Sequence, residues 1–156
     1  MFAVIVVTFA RRFKRDWRRL PDVTPNATEP MAKSGIETSA PANRAGCLDI
    51  ATAKPALDNA AARLDASVEA AKRGDTTTAA SEVRSAAASL RTAASALSAD
   101  AAISQFDMRA AEAYDKAAAA YANGDENSAA LYAAAAIGFV KTSTDALRHS
   151  SVPRCH

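Results

Sequence analysis

Histidine and cysteine are the side chains of this chain most suited to metal or nucleophilic chemistry, and they are few. The two histidines, His149 and His156, both lie near the C-terminal end. Together with Cys47 and Cys155 they would form a zinc site only if all four converged, because the sequence lacks the closely spaced ligand pairs of such sites. The sequence therefore predicts no metal site.

Acid–base and phosphate chemistry are equally unsupported. Carboxylates one helical turn apart, such as Asp65 with Glu69, predict a solvated helix face. No glycine-rich loop is followed by Lys-Ser or Lys-Thr, so no phosphate-binding loop is expected. No histidine is placed to activate a serine. We predict that the protein is not an enzyme and binds no cofactor.

The aromatic side chains beyond residue 47 are unevenly distributed. All five lie in the last third of the chain: Phe106, Tyr114, Tyr121, Tyr132 and Phe139. Their spacing predicts that Tyr121 faces Tyr132, and Tyr114 faces Phe139, across two antiparallel helices. These rings either fill a core of small alanines or form a surface for a partner helix or an apolar ligand.

The elements that position these residues are helices. From Cys47 to His156, 35 of 110 residues are alanine, the strongest helix former. An internal repeat is present at an offset of 50 residues, with 12 identities in the 47 positions from Ala53 to Ala99, seven of them alanine. The aligned turns Gly74-Asp75 and Gly124-Asp125 support this duplication.

Each Gly-Asp pair predicts a helix end followed by a helix start. Glycine closes a helix in the left-handed conformation, and aspartate then caps the next helix. The sequence therefore predicts an all-α, antiparallel up-down four-helix bundle made from a duplicated helical hairpin. The four expected helices span residues 52–73, 76–99, 102–123 and 126–149.

Apolar residues on the first two helices recur at heptad spacing, which predicts two stripes that pack on each other. The stripe of the first helix is Leu57, Ala61, Leu64, Val68 and Ala71, and that of the second is Ala79, Val83, Ala86, Leu90, Ala93 and Leu97. In an antiparallel hairpin, the residue numbers of facing positions have a constant sum. This rule predicts that Leu57 faces Leu97 and that Leu64 faces Leu90.

The first 46 residues differ in composition from the helical part. Residues 1–20 combine an apolar run with six basic residues and one acidic residue, which suits contact with an anionic membrane surface. The alternative is that this end is disordered or is not part of the mature protein. The apolar run is too short to span a membrane. Residues 21–46 hold four prolines and no apolar period, which predicts a disordered linker before a domain of residues 47–156.

Charge and cysteine content bear on partners and compartment. Residues 47–156 hold 11 basic and 13 acidic residues, so no nucleic-acid binding is expected. In an up-down bundle of four helices, Cys47 before the first helix and Cys155 after the fourth lie at the same end. We therefore predict a Cys47–Cys155 disulfide and a location outside the cytoplasm, exported or at the cell envelope; the alternative is two free thiols in the cytoplasm.

Two functional hypotheses follow from these patterns. The first is a non-enzymatic helical module that binds a protein partner, or a second copy of itself, through the second hairpin. The alternative is a carrier of a small apolar ligand, with the five aromatic residues lining a cavity in that hairpin.

Overall fold

The computed structural model describes residues 46–155, which form four α-helices. They are α1 (Ile50–Lys72), α2 (Thr76–Ala96), α3 (Ala101–Ala122) and α4 (Glu126–His149). Consecutive helices pack closely, as in a four-helix bundle, and the predicted fold class is confirmed. The predicted membrane-contacting segment 1–20 and almost all of the predicted linker lie outside the described residues.

An aspartate at the N-cap begins every one of these helices. The carboxylates of Asp49, Asp75, Asp100 and Asp125 each accept a hydrogen bond from a backbone N–H in the first turn, at 2.9 to 3.4 Å. Each bond satisfies a backbone donor that has no partner within the helix. The helix starts predicted from Asp75 and Asp125 are confirmed.

The two Gly-Asp turns have matching geometry. Gly74 and Gly124 adopt φ values of 74° and 73°, in the left-handed region that glycine enters without the steric penalty of a Cβ. The backbone N–H of the following aspartate bonds the carbonyl of Ala70 in the first turn, at 3.0 Å, and of Ala120 in the second, at 2.9 Å. The same backbone bonds thus close both hairpins.

The core is thickest around the two middle helices. Along α2 the predicted stripe is buried at every position, and α3 buries residues on an equally broad face. The outer helices α1 and α4 each bury a narrower stripe. No Cα of α1 lies within 8 Å of a Cα of α4. The close alanine seams therefore run between consecutive helices only.

The predicted stripe of α1 is wrong in phase beyond Leu57. The fully buried positions there are Ala60, Ser67 and Ala70, whereas the predicted Val68 is half-buried, as are Ala61, Leu64 and Ala71. Ser67 occupies a core position because its hydroxyl donates to the Leu64 carbonyl at 2.9 Å. A serine whose hydroxyl is bonded in this way can be buried although it does not belong to the apolar pattern.

The predicted register of the first hairpin also needs correction. The backbone N–H of Asp49 bonds the Ala96 carbonyl at 3.0 Å, and Arg63 pairs with Glu82 at 3.1 Å. These contacts place Leu57 close to the level of Leu90 instead of Leu97. The apolar stripes still meet, but they are displaced by one heptad, since heptad spacing alone leaves the register undetermined in steps of seven residues.

The two termini of the domain are joined at one end of the helices, as predicted. Cys47 and Cys155 form a disulfide with a Cα–Cα distance of 5.2 Å. Beside it, the buried Leu48 accepts a backbone bond from Cys155 at 2.9 Å and donates one to Pro153 at 2.8 Å. The segment after α4 therefore crosses back to the start of α1.

Candidate functional site

The structure divides the five predicted aromatic residues between the interior and the surface. Tyr114 is buried, with 1% of its surface exposed, whereas Tyr132 is 41% exposed. Phe106, Tyr121 and Phe139 are half-buried. The second hairpin thus holds one ring in the core and one on the outside, with the other three between them.

The largest exposed apolar side chains include two neighbours on α4. Leu131 is 69% exposed and lies next to Tyr132. Further along the same side of the helix, Ala134, Ala135 and Gly138 are also exposed. We call these five residues the α4 outer face. It lies opposite the buried stripe that contains Ala129, Ala133, Ala136 and Val140.

The matching part of α2 is polar. At the sequence offset of 50 residues, Ser81 stands where α4 has Leu131, and Glu82 stands where α4 has Tyr132. Glu82 is engaged in the ion pair with Arg63. Because an outward helix face in this fold can be polar and paired, the leucine and tyrosine of α4 are not required by the architecture.

A second unusual feature lies in the interior of the same hairpin. Asp107 on α3 is 0% exposed, and two residues of α4, Ser143 and Thr144, are also buried. Neither carboxylate oxygen of Asp107 has a hydrogen-bond partner among the described residues. The Thr144 hydroxyl instead donates to the Val140 carbonyl at 2.9 Å. A buried carboxylate with no partner is costly and calls for an explanation.

Burial is the main cause of the shifted pKa of this carboxylate. Removal from water raises the pKa of Asp107 from its usual 3.8 to about 6. The Ser143 hydroxyl lies near the carboxylate without a hydrogen bond of normal geometry, and it only partly counters this rise by favouring the ionised form. Burial likewise raises the pKa of the Tyr114 phenol. Asp107 therefore changes protonation near pH 6, where ordinary aspartates are ionised.

The sequence carries a signal that Asp107 is buried, although spacing between carboxylates does not reveal it. Asp107 falls in a heptad run with Ile103, Ala110 and Tyr114, all of which are buried. At the offset of 50 residues its counterpart is Leu57, a core residue. The counterparts of Ser143 and Thr144 are Ala93 and Ala94, both buried. Three apolar core positions of the first hairpin are therefore polar in the second.

The chemistry open to this arrangement is narrow. Within residues 46–155 no group of three histidine, cysteine, aspartate or glutamate side chains is placed to hold a metal ion. The sulfurs of Cys47 and Cys155 are bonded to each other, so neither is a thiolate ligand. Asp107 stands as a single carboxylate beside a hydroxyl, which can take up a proton or pair with a cation.

Comparisons of the chain with known protein families, with curated proteins and with solved structures gave no match. None of the four described helices is both long enough and apolar enough to cross a membrane.

Proposed function

We propose that this protein is a non-enzymatic helical interaction module that binds a protein partner through the α4 outer face, outside the reducing cytoplasm. The observation that carries the proposal is the exposure of Leu131 beside Tyr132 on an otherwise small-residue surface. Large apolar side chains that cluster on a surface favour protein contact, because covering them removes apolar area from water.

The shape of this surface suits a helical partner. The exposed alanines and Gly138 let another backbone approach closely, while Leu131 and Tyr132 supply the bulk that a binding site needs at its centre. Tyrosine is enriched at such sites because it buries a large ring and keeps its hydroxyl at the solvent-exposed rim of the interface. The partner would lie along the length of α4.

The disulfide supports the proposed compartment. Cys47 and Cys155 are the only cysteines of the chain, and a bond between them persists in an oxidising environment such as the cell envelope or the exterior. Titration of thiols in denatured, unreduced protein from its own host tests this part. We expect no free thiol, and two free thiols would contradict export.

Site-specific photo-crosslinking tests the binding surface directly. A photoreactive phenylalanine analogue at position 131 should give a covalent adduct in the native host, identified by mass spectrometry. The same analogue at position 81, the equivalent exposed site on α2, is the matched control and should give none. Equal labelling from both positions, or none from position 131, would contradict the proposal.

A second candidate function is a carrier of a small apolar ligand. It is favoured by Tyr114, which is buried, and by Tyr121 and Phe139, which pack against the core of the same hairpin. Native mass spectrometry of protein purified from its own host tests it. A stoichiometric adduct of a small apolar molecule, lost on Tyr114→Ala, supports the carrier, and an empty protein contradicts it.

A further inference from the structure

The interface between α3 and α4 contains a buried ionisable side chain. We propose that this interface is a pH-sensitive switch, in which α4 stays packed on α3 while Asp107 is protonated and opens from α3 when Asp107 loses its proton. The first hairpin, α1 with α2, stays packed in both states. This inference concerns the interior of the second hairpin and does not depend on a partner at the α4 outer face.

Asp107 lies where α3 meets α4. Its side chain is 0% exposed, and the hydroxyl of Ser143 on α4 lies near it. The Thr144 hydroxyl is engaged with the Val140 carbonyl at 2.9 Å, and neither carboxylate oxygen has a hydrogen-bond partner among residues 46–155. Separation of α4 from α3 lets water reach these oxygens. Opening therefore hydrates a group that the closed packing leaves unsatisfied.

No opposite charge compensates the ionised form of Asp107 in the part of the chain that the structure describes. The helices that pack on α3 are α2 and α4. The charged or titratable residues closest to the level of Asp107 on these three helices are exposed, and they are Arg91, Arg109, Glu112, Lys141, Asp145, Arg148 and His149. Arg91 is paired with Asp115.

Two other titratable groups lie on the same side of α3. The half-buried Asp100, at the start of the helix, accepts a hydrogen bond from the Ser150 hydroxyl at 2.7 Å. Tyr114 is buried one heptad beyond Asp107 and stays neutral, because burial raises the pKa of its phenol. Neither supplies a positive charge, so the cost of burying ionised Asp107 is not offset by a cation.

The attachments of α4 allow it to open without leaving the molecule. Among the four helices it packs on α3 alone, and of its seven buried side chains only Val140 and Leu147 are larger aliphatic ones. Its start is joined to α3 by the turn at Gly124, and its end is tied to Leu48 by backbone bonds and by the disulfide of Cys155. Separation thus exposes little apolar area, and both ends hold α4 close for reclosing.

The first hairpin provides an internal comparison. Like α4, the helix α1 packs on only one other helix. The residues equivalent to Asp107, Ser143 and Thr144 are apolar and buried there. None of the buried side chains of α1 or α2 is ionisable. Opening of α1 therefore exposes no group whose protonation changes with opening.

The size of the effect follows from the pKa of Asp107, which is about 6 in the closed form and returns to its usual 3.8 once water reaches the carboxylate. A raised pKa means that loss of the proton favours the open form as the pH rises. Between pH 4.5 and pH 8 the ratio of open to closed molecules should rise on the order of 30-fold. The capping aspartates Asp75 and Asp125 have lowered pKa values and stay ionised across this window.

Hydrogen–deuterium exchange of the oxidised, full-length chain, read by mass spectrometry, measures the opening of each helix. Exchange times are scaled to the intrinsic amide rate at each pH. We expect the protection of amides in residues 132–147 of α4 to fall on the order of 30-fold from pH 4.5 to pH 8, and that of residues 54–68 of α1 to change by less than about threefold. Equal losses in the two helices, or no loss in α4, would overturn the inference.

Variants at position 107 separate this switch from a general effect of pH. Asp107→Leu should abolish the pH dependence of exchange in α4 and leave exchange in α1 unchanged, and Asp107→Asn is a second variant without an ionisable group. Glu112→Gln removes an exposed carboxylate from the same helix and is the matched control, which should keep the wild-type pH dependence. Exchange in α4 that still rises with pH in both Asp107 variants would overturn the proposal.

Discussion

Replacing Asp107 by leucine, the residue at the equivalent position of the first hairpin, should stabilise the protein at neutral pH. The carboxylate is fully buried and neither oxygen has a hydrogen-bond partner among residues 46–155. Leucine has a similar branched shape and no polar atom to desolvate. Replacement of an unpaired buried charge by a well-packed apolar side chain removes a destabilising group.

The magnitude follows from the pKa of Asp107. A carboxyl whose pKa is raised on folding holds its proton in the folded state after the unfolded chain has released it. Below pH 3.8 both states are protonated, so ionisation of Asp107 makes no contribution to the unfolding free energy there. As the pH rises from 3.8 to about 6, stability is progressively lost, and above pH 6 the loss is constant. Since one pKa unit corresponds to about 1.4 kcal/mol, the penalty at pH 8 is on the order of 3 kcal/mol.

The assay is urea unfolding followed by circular dichroism at several pH values from 3.5 to 8. The quantity to read is the difference in unfolding free energy between Asp107→Leu and wild type, because the other titrating groups cancel in it. We expect this difference to grow by on the order of 3 kcal/mol between pH 3.5 and pH 8. Asp107→Asn should show the same pH dependence but a smaller gain in unfolding free energy than Asp107→Leu, because its buried amide still lacks hydrogen-bond partners.

The control is Glu112→Leu, which changes an exposed carboxylate on the same helix. We expect less than about 0.5 kcal/mol of change at either end of the pH range. A difference between Asp107→Leu and wild type that stays constant from pH 3.5 to 8 would refute the reasoning. So would a loss of stability at pH 8.

Three further predictions concern the framework of the fold. Leu90→Ala, at a fully buried seam position, should lower the unfolding free energy by about 2 to 5 kcal/mol in chemical denaturation; a loss below about 0.5 kcal/mol would mean that the site is not core. Replacing Cys47 and Cys155 by serine opens a loop with a sequence separation of 108 and should cost about 4 to 5 kcal/mol by the chain-entropy model, measured against the oxidised wild type. Gly124→Ala should lower stability by about 1 to 2 kcal/mol because φ is 73° there, whereas Gly138→Ala, in a helix interior, should raise it by up to about 1 kcal/mol; equal effects would contradict the turn geometry.

The helices and their order could be predicted from the sequence because their signals are local. An aspartate placed before an alanine-rich run caps the run wherever it occurs, and a glycine before that aspartate closes the preceding helix. The pairing of Cys47 with Cys155 could also be predicted, since the two cysteines have no other cysteine to bond and the number of helices fixes their end of the bundle. None of these inferences needs a side-chain contact.

The register and the phase of α1 could not be predicted, for a physical reason. Alanine is so frequent that several stripes along a helix are apolar, and the choice between them depends on how neighbouring helices rotate. Ser67 shows the difficulty, because its hydroxyl is satisfied by its own helix and it can enter the core as an alanine would. In an alanine-rich chain, small polar residues can be buried as alanines are, so polarity alone does not distinguish the buried face of a helix from the exposed one.

The second hairpin departs from the first on both sides of its helices, and neither departure favours the isolated chain. Inside, Asp107 stands where the first hairpin has Leu57, which lowers stability at neutral pH. Outside, Leu131 stands where the first has Ser81, which leaves apolar area in contact with water. A partner bound to α4 stabilises the folded state in proportion to its concentration and affinity. If the proposed partner binds there, its binding would offset a penalty that Asp107 imposes on the free chain between α3 and α4.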